Sequence, residues 1–182
     1  MSLFGPQDLA NTAWSCARLL VRNQQLLAAI AAAALPRVAD FHSQKISNTA
    51  WAFATLEWRD QALLEALASA AIARLPQFSA QDKANTVWAF ARREFPHHPL
   101  LAAISAESLL RIREYSQQHM SNIAWSYAKL LVHDRPLIAA LSERLLSSTG
   151  DLQAQTVSSI AWSFARLSIA TGRHWIEYRR VL

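Results

Sequence analysis

The sequence predicts an all-α protein, a right-handed solenoid of about five stacked antiparallel helix pairs with a period of 37 residues. The first observation is a series of tryptophans at that spacing, without insertions: Trp14, Trp51, Trp88, Trp125 and Trp162. A fixed period of about 20 to 50 residues is typical of stacked supersecondary units. The second is composition, because the chain has only 3 glycines and 6 prolines, the two poorest helix formers.

The first helix of each repeat, helix A, carries the tryptophan. We expect it to run from a glutamine seven residues before the tryptophan to six or seven residues after it. A large apolar residue precedes it in every repeat: Phe4, Phe41, Phe78, Tyr115 and Leu152. In the third repeat Ser79 can cap the helix, Asp82 can return the hydrogen bond and Phe78 can form the apolar staple.

The second helix, helix B, follows a short polar or proline-containing break. Its apolar residues recur at helical spacing, as in Leu137, Ile138, Leu141 and Leu145. Pro36 and Pro76 are expected to end it in the first two repeats, because proline lacks the amide hydrogen.

A single array over residues 1–182 follows, with ten helical segments and no sheet. Its repeats lie at about 4–40, 41–77, 78–114, 115–151 and, incomplete, 152–182. Neighbouring pairs must stack to bury their apolar faces. Neither end carries an obviously polar capping helix, so self-association through the ends is expected.

Helical geometry separates helix A into two faces. The second residue after each tryptophan is predicted to be buried, and it is aromatic in four repeats: Phe53, Phe90, Tyr127 and Phe164. Cys16 holds this position in the first repeat and is interpreted as a small core residue. Leu64 and Leu101 of helix B are expected to pack against this face.

The opposite face of helix A carries polar residues at four recurrent positions. The glutamine position holds Gln7, Gln44, Gln81, Gln118 and Gln155. The variable position, next in sequence, holds Asp8, Lys45, Asp82, His119 and Thr156. The asparagine position, three residues before the tryptophan, holds Asn11, Asn48, Asn85 and Asn122. The basic position, four residues after it, holds Arg18, Arg92, Lys129 and Arg166, with Thr55 in the second repeat.

Stacking the repeats would align these positions along one groove suited to a single strand of RNA. The basic residues can neutralise phosphates, while amides and a variable residue can read base edges, as in modular helical-repeat RNA binders. Two structural alternatives remain open. The asparagines can instead hydrogen-bond a loop or the next repeat, and the tryptophans can pack between repeats rather than stack on bases.

At these residues the chain resembles the octotricopeptide repeat and its 37-residue relative, the heptatricopeptide repeat. The shared pattern is Gln-x-x-Ala/Ser-Asn-Thr-Ala-Trp-Ala/Ser-Phe-Ala-x-Leu, in five in-phase copies over essentially the whole chain. The resemblance implies an α-solenoid that binds single-stranded RNA in chloroplasts or mitochondria. It also implies a role in RNA processing, stability or translation.

Other function classes are disfavoured. No glycine-rich phosphate loop or metal-ligand spacing is present, so we expect no enzymatic activity, cofactor or metal. No apolar stretch is long enough for a membrane span, and no targeting segment is visible. The net charge of +5 suits nucleic acid or an acidic partner. The alternative function is a protein–protein interaction scaffold, because helical solenoids also bind proteins on such surfaces.

Overall fold

The computed structural model describes residues 4–147 and 153–167, and within these residues the protein is all-helical, with no strand. The nine α-helices of this part are α1 Pro6–Arg18, α2 Gln24–Ala34, α3 Ser43–Thr55, α4 Gln61–Arg74, α5 Ala80–Arg92, α6 His98–Leu110, α7 Gln117–Lys129, α8 Arg135–Leu146 and α9 Ala154–Arg166. Short 3-10 helices follow α2, α4 and α6 at Leu35–Asp40, Leu75–Gln77 and Ile112–Glu114. The expected tenth segment lies outside the described residues.

The odd-numbered helices are the predicted A helices, and the even-numbered ones are the B helices. The A helices have 13 residues each and pack side by side in chain order, with α3 between α1 and α5, and α7 between α5 and α9. Small residues line these contacts, since Ala54, Ala91 and Ala128 are buried. Each B helix from α2 to α8 packs against the A helix that precedes it.

The apolar core lies between the two sets of helices. Phe53, Phe90, Tyr127 and Phe164 are buried, as are Leu64 and Leu101, which confirms the predicted inner face. Cys16 is buried as well. Tyr127 places its hydroxyl deep in the core, where Oη donates a 2.6 Å hydrogen bond to the carbonyl oxygen of Leu101.

Helix starts follow the predicted local chemistry, and one predicted boundary is wrong. Ser79 and Asp82 form the expected capping box at α5, and α2 and α4 end two residues before Pro36 and Pro76. The A helices, however, end four residues after their tryptophan rather than six or seven.

A left-handed residue causes this early end. The residue six after the tryptophan has a φ between 53° and 59° in the first four repeats: Leu20, Glu57, Glu94 and Leu131. In the second repeat the Glu57 amide donates to the carbonyl of Ala54 (3.2 Å), and the Trp58 amide donates to that of Phe53 (3.0 Å). This is the Schellman pattern, in which glycine usually occupies the left-handed position.

Replacing Leu131 with glycine is therefore expected to stabilise the fold. The left-handed conformation costs a side chain about 1 to 2 kcal/mol, and Leu131 is 54% exposed, so little burial is lost. We expect the free energy of unfolding to rise by about 1 kcal/mol in urea titrations. The control, Ala139→Gly at an exposed position inside α8, should lower it by about the same amount. Equal losses in both variants would contradict the idea.

The first repeat exposes apolar side chains whose equivalents farther along are covered. Leu19 is 75% exposed, whereas the equivalent Leu56 is 4% exposed. The reason is geometric: among the described A helices, α1 packs only against α3, while α3 has a neighbour on each side. Trp14 and Val21 extend the exposed patch.

This patch is expected to make the isolated protein self-associate, because exposed apolar surface of this kind is a docking liability. Sedimentation velocity over a concentration series should show weight-average mass rising with concentration. Leu19→Lys with Val21→Lys should shift the protein toward monomer. A parent protein that stays monomeric at the highest concentration would exclude this contact.

Candidate nucleic-acid interface

The polar stripe of the A helices, made of the glutamine, asparagine, tryptophan and basic positions, is accessible to solvent. All five glutamines are exposed, and the asparagines are exposed or half-buried. In α1 the Gln7 side-chain amide donates a 2.9 Å hydrogen bond to Asn11 Oδ1, across one helical turn. The amides of this stripe therefore line the surface rather than the core.

The variable position differs from its prediction in two repeats. Asp8 is exposed, and Lys45 and His119 are half-buried, but Asp82 and Thr156 are buried. Asp82 therefore lies off the open groove on which it was predicted, because this position is the third residue of helix A and faces the preceding A helix. Thr156 instead lines a pocket beside α7. Burial at the variable position lowers the pKa of His119.

Several variable residues cap their own helix. Asp8 Oδ2 accepts from the Gly5 amide at 2.9 Å. Asp82 Oδ2 accepts from the Ser79 amide and hydroxyl, and Asp82 Oδ1 accepts from Ser47 Oγ of α3 at 2.7 Å. Asp82 thus joins two repeats, with no open surface for a base.

Basic residues at the end of the A helices contact the preceding repeat. Arg92 lies 3.3 Å from the carboxylate of Glu57, and Lys129 lies 2.8 Å from that of Glu94. Arg166 Nε donates to the carbonyl of Ala128 at 3.0 Å. Sequence reasoning missed the two acids, although they recur 37 residues apart.

These ion pairs leave the cations available to a stronger ligand. Arg92 and Glu57 are each 48% exposed, and Glu94 is 63% exposed. The hydrogen bond from Lys129 lowers the pKa of Glu94, so this carboxylate stays ionised in mildly acidic solution. Exposed pairs contribute little net free energy, so a phosphate can displace the acid at small cost.

The tryptophans combine packing with exposure. Trp125 and Trp162 stack with their ring centroids 6.4 Å apart and an interplanar angle of 26°. The guanidinium of Arg18 lies over Trp14 at 5.6 Å, and that of Arg166 lies over Trp162 at 5.4 Å. Trp51 and Trp88 are half-buried against the core. Packing between repeats is therefore real for one pair, and about two fifths of Trp14 and Trp162 remains exposed.

A second series of arginines also joins repeats and was missed from the sequence. Arg37 donates to the carbonyl of Phe4, and Arg74 donates to that of Ala39. Both belong to a 37-residue series that continues at Arg111. The spacing alone could have revealed this series.

A sequence model of one family, described as RNA-editing substrate-binding complex 6 protein (RESC6), matches residues 1–135, about three quarters of the chain. The chain belongs to the RESC6 family. No curated protein sequence matches it.

Membership of the RESC6 family overturns the resemblance to octotricopeptide and heptatricopeptide repeats. Apart from its glutamine, asparagine and threonine, the shared motif consists of small residues, two aromatic residues and a leucine at helical spacing. Any helix that packs tightly between two neighbours needs such residues, so the motif reports a packing requirement and not a family. A chloroplast location rested on that resemblance alone and has no support in RESC6 membership.

Within residues 4–147 and 153–167, no cluster of three or more His, Cys, Asp or Glu side chains could hold a metal ion. None of the helices described there is both long and apolar enough to cross a membrane.

Proposed function

We propose that this RESC6-family protein binds single-stranded RNA along the polar stripe of its A helices, within a complex that binds RNA-editing substrates. The family description names such a complex. The observation that carries the proposal is the stripe itself, with exposed glutamines, accessible asparagines, partly exposed tryptophans and a basic residue at the end of four A helices. The role of the protein would be to hold transcripts for processing.

The proposed architecture is a right-handed α-solenoid that forms one array over residues 1–182, with repeats at about 4–40, 41–77, 78–114, 115–151 and 152–182. The equal length of the A helices and their packing in chain order support it. Such a stack aligns Arg18, Arg92, Lys129 and Arg166, because each follows its tryptophan by four residues.

Binding is proposed to proceed by exchange of anions. A phosphate replaces Glu57 at Arg92 and Glu94 at Lys129, while Arg18 and Arg166 meet further phosphates. Amides at Gln7, Gln44, Gln81, Gln118 and Gln155 and at Asn11, Asn48, Asn85 and Asn122 then face the bases. Lys45 and His119 are half-buried at the edge of this surface and contribute less.

We propose a non-enzymatic role without cofactor or metal, and a mitochondrial location. Both proposals are independent of the binding surface. Cell fractionation with a tagged full chain would test the location, since a signal in the cytosolic fraction alone would exclude it.

A salt titration tests the binding proposal. Affinity for a labelled single-stranded RNA should fall as salt rises, because released counterions oppose binding. Glu57→Gln with Glu94→Gln frees Arg92 and Lys129, so we expect tighter binding. The same phosphates are neutralised in both proteins, so the slope of log affinity against log salt should stay close to that of the parent.

The control removes the same charge elsewhere. Glu65→Gln with Glu143→Gln changes two exposed residues on B helices. It should increase affinity far less and leave the slope close to that of the parent. Equal effects of the two pairs would mean that only net charge matters and that the stripe has no special role.

A protein scaffold is the second candidate, and one observation favours it. Leu35, Ile72 and Leu109 lie 37 residues apart near the ends of the B helices, and each is between 36% and 39% exposed. An apolar row of this kind suits a protein partner. A parent protein that shows no salt-dependent RNA binding would put this candidate first.

A further inference from the structure

A polar pocket of about 160 Å³ lies between α7 and α9, at the amide end of the stripe. Seven residues line it, all neutral amides or alcohols: Gln118, Ser121, Asn122, Gln153, Gln155, Thr156 and Ser159. No charged or apolar side chain contributes. A ligand of this pocket must therefore be recognised by hydrogen bonds.

The lining side chains have unused hydrogen-bonding capacity. Within the described residues, none of the seven makes a side-chain hydrogen bond to the protein, in contrast with Gln7 and Asn11 of α1. Ser121 and Thr156 are 7% and 5% exposed. Both residues line the pocket, so their hydroxyls can hydrogen-bond a ligand or water there.

Two repeats earlier, the corresponding position between α3 and α5 is closed by a contact between protein side chains. Ser47 and Asp82 are the equivalents of Ser121 and Thr156, and they form the 2.7 Å hydrogen bond that joins α3 to α5. Threonine is shorter than aspartate and bears no anionic acceptor. The contact is thereby lost between α7 and α9, and a pocket takes its place.

We propose that this pocket binds one unpaired nucleobase of the RNA, an inference that rests on the proposed function. Amides and hydroxyls offer donors and acceptors together, which is what the edge of a base requires. A phosphate would need a cation, and the lining has none. A cavity of about 160 Å³ holds several waters and is too small for a folded peptide segment.

The surroundings of the pocket suit a nucleotide. One helical turn farther along the same two helices, Trp125 and Trp162 form their stacked pair, and aromatic faces are platforms for neighbouring bases. Arg166 follows, and its Nε is held by the Ala128 carbonyl. Its two Nη groups have no hydrogen-bond partner among the described residues and can meet the backbone phosphate.

Neutral nucleosides test the pocket without interference from charge. Uridine, cytidine, adenosine and guanosine would each be titrated into the full chain while the NMR signals of the side-chain amides are followed. We expect the signals of Gln118, Asn122 and Gln155 to shift with at least one nucleoside. The signals of Gln24 and Gln25, which are exposed on α2 outside the stripe, should stay in place.

Two variants locate the response. Thr156→Asp recreates the Ser47–Asp82 contact and should weaken nucleoside binding by tenfold or more. Gln118→Ala with Asn122→Ala should do the same through loss of donors, which provides a second test if the first variant folds poorly. The control, Gln24→Ala with Gln25→Ala at two exposed positions of α2 outside the stripe, should leave binding unchanged.

The outcomes separate this inference from the proposed function. Absence of shifts with all four nucleosides, or shifts that survive both variants, would mean that the pocket holds only water and would overturn the inference. RNA binding with a normal salt slope would still support the proposed function in that case. Nucleoside binding by a protein that fails to bind RNA would support the pocket and exclude the proposed function.

Discussion

Replacing Arg18, Arg92, Lys129 and Arg166 together with alanine is expected to weaken binding to single-stranded RNA several hundredfold. Each phosphate contact contributes about 0.7 log unit of affinity at 0.1 M salt, so four contacts contribute nearly three. The loss should be larger still, because Glu57 and Glu94 would remain without their partners and repel the strand. The slope of log affinity against log salt should become shallower by about three.

Fluorescence anisotropy at several salt concentrations measures both effects. The fold should survive, because all four side chains lie at the surface or are half-exposed, and circular dichroism would verify this. Arg113→Ala with Arg135→Ala removes two exposed charges away from the stripe. This control should lose far less than half as much log affinity for RNA as the quadruple variant loses. A quadruple variant that binds as tightly as the parent at every salt concentration would make the stripe an ordinary solvated surface.

Replacing Glu107 with glutamine is expected to lower the free energy of unfolding by about 2 to 3 kcal/mol. Lys83 is 1% exposed, and its ammonium lies 3.8 Å from the carboxylate of Glu107. Removing the acid leaves a buried cation without its partner, a change that usually costs about 3 to 5 kcal/mol. The partial exposure of Glu107 (23%) reduces that figure. The melting temperature should fall by about 5 to 10 °C.

Lys83→Met should have the opposite sign. The equivalent positions hold apolar residues (Leu9, Ile46, Met120 and Val157). Removing the buried cation ends its desolvation cost, while the carboxylate of Glu107, which is 23% exposed, can be solvated by water. A substitution that destabilises the protein as much as Glu107→Gln would show that the lysine itself is required.

The benefit of Lys83→Met should shrink as the pH rises. Burial lowers the pKa of Lys83 from its ordinary value of 10.5, with Glu107 and Glu114 opposing this effect and Arg111 adding to it. Between the lowered pKa and 10.5 the unfolded chain binds more protons, so the parent gains stability with rising pH. Urea titrations of both proteins at neutral pH and at pH 10 should show the gap closing. A constant gap would mean that Lys83 keeps its charge throughout.

The helical class and the buried face could be predicted because one helix determines them. Phe53, Phe90 and Tyr127 repeat at a spacing that only a helix places on one side. The end of helix A was misplaced, because Glu57 and Glu94 adopt a left-handed conformation that the sequence does not announce. A glycine at this position would have indicated the end of the helix.

The site was predicted less completely, because its details depend on how close the next helix lies. The stripe is exposed as expected along α1, but at the variable position Asp82 is buried against α3 and Thr156 lines a pocket beside α7. A helical projection shows the direction in which a side chain leaves the helix, but not the distance to the neighbouring helix. Lys83 was overlooked for a related reason, since a lysine in a polar helix reads as a surface residue until the helix that buries it is known.

The hydrogen bonds and ion pairs between repeats have a consequence for folding during synthesis on the ribosome. Arg37, Arg74, Arg92, Lys129 and Arg166 all bond to groups that precede them by 33 to 38 residues. At about 5 to 20 residues per second, a ribosome adds one such interval in roughly 2 to 7 s, far longer than local helix packing takes. Each of these arginines and this lysine therefore leaves the ribosome after the segment that carries its acceptor has had time to form local structure. During synthesis each new repeat can pack onto the repeat made before it, so the protein can assemble in chain order from its N-terminus.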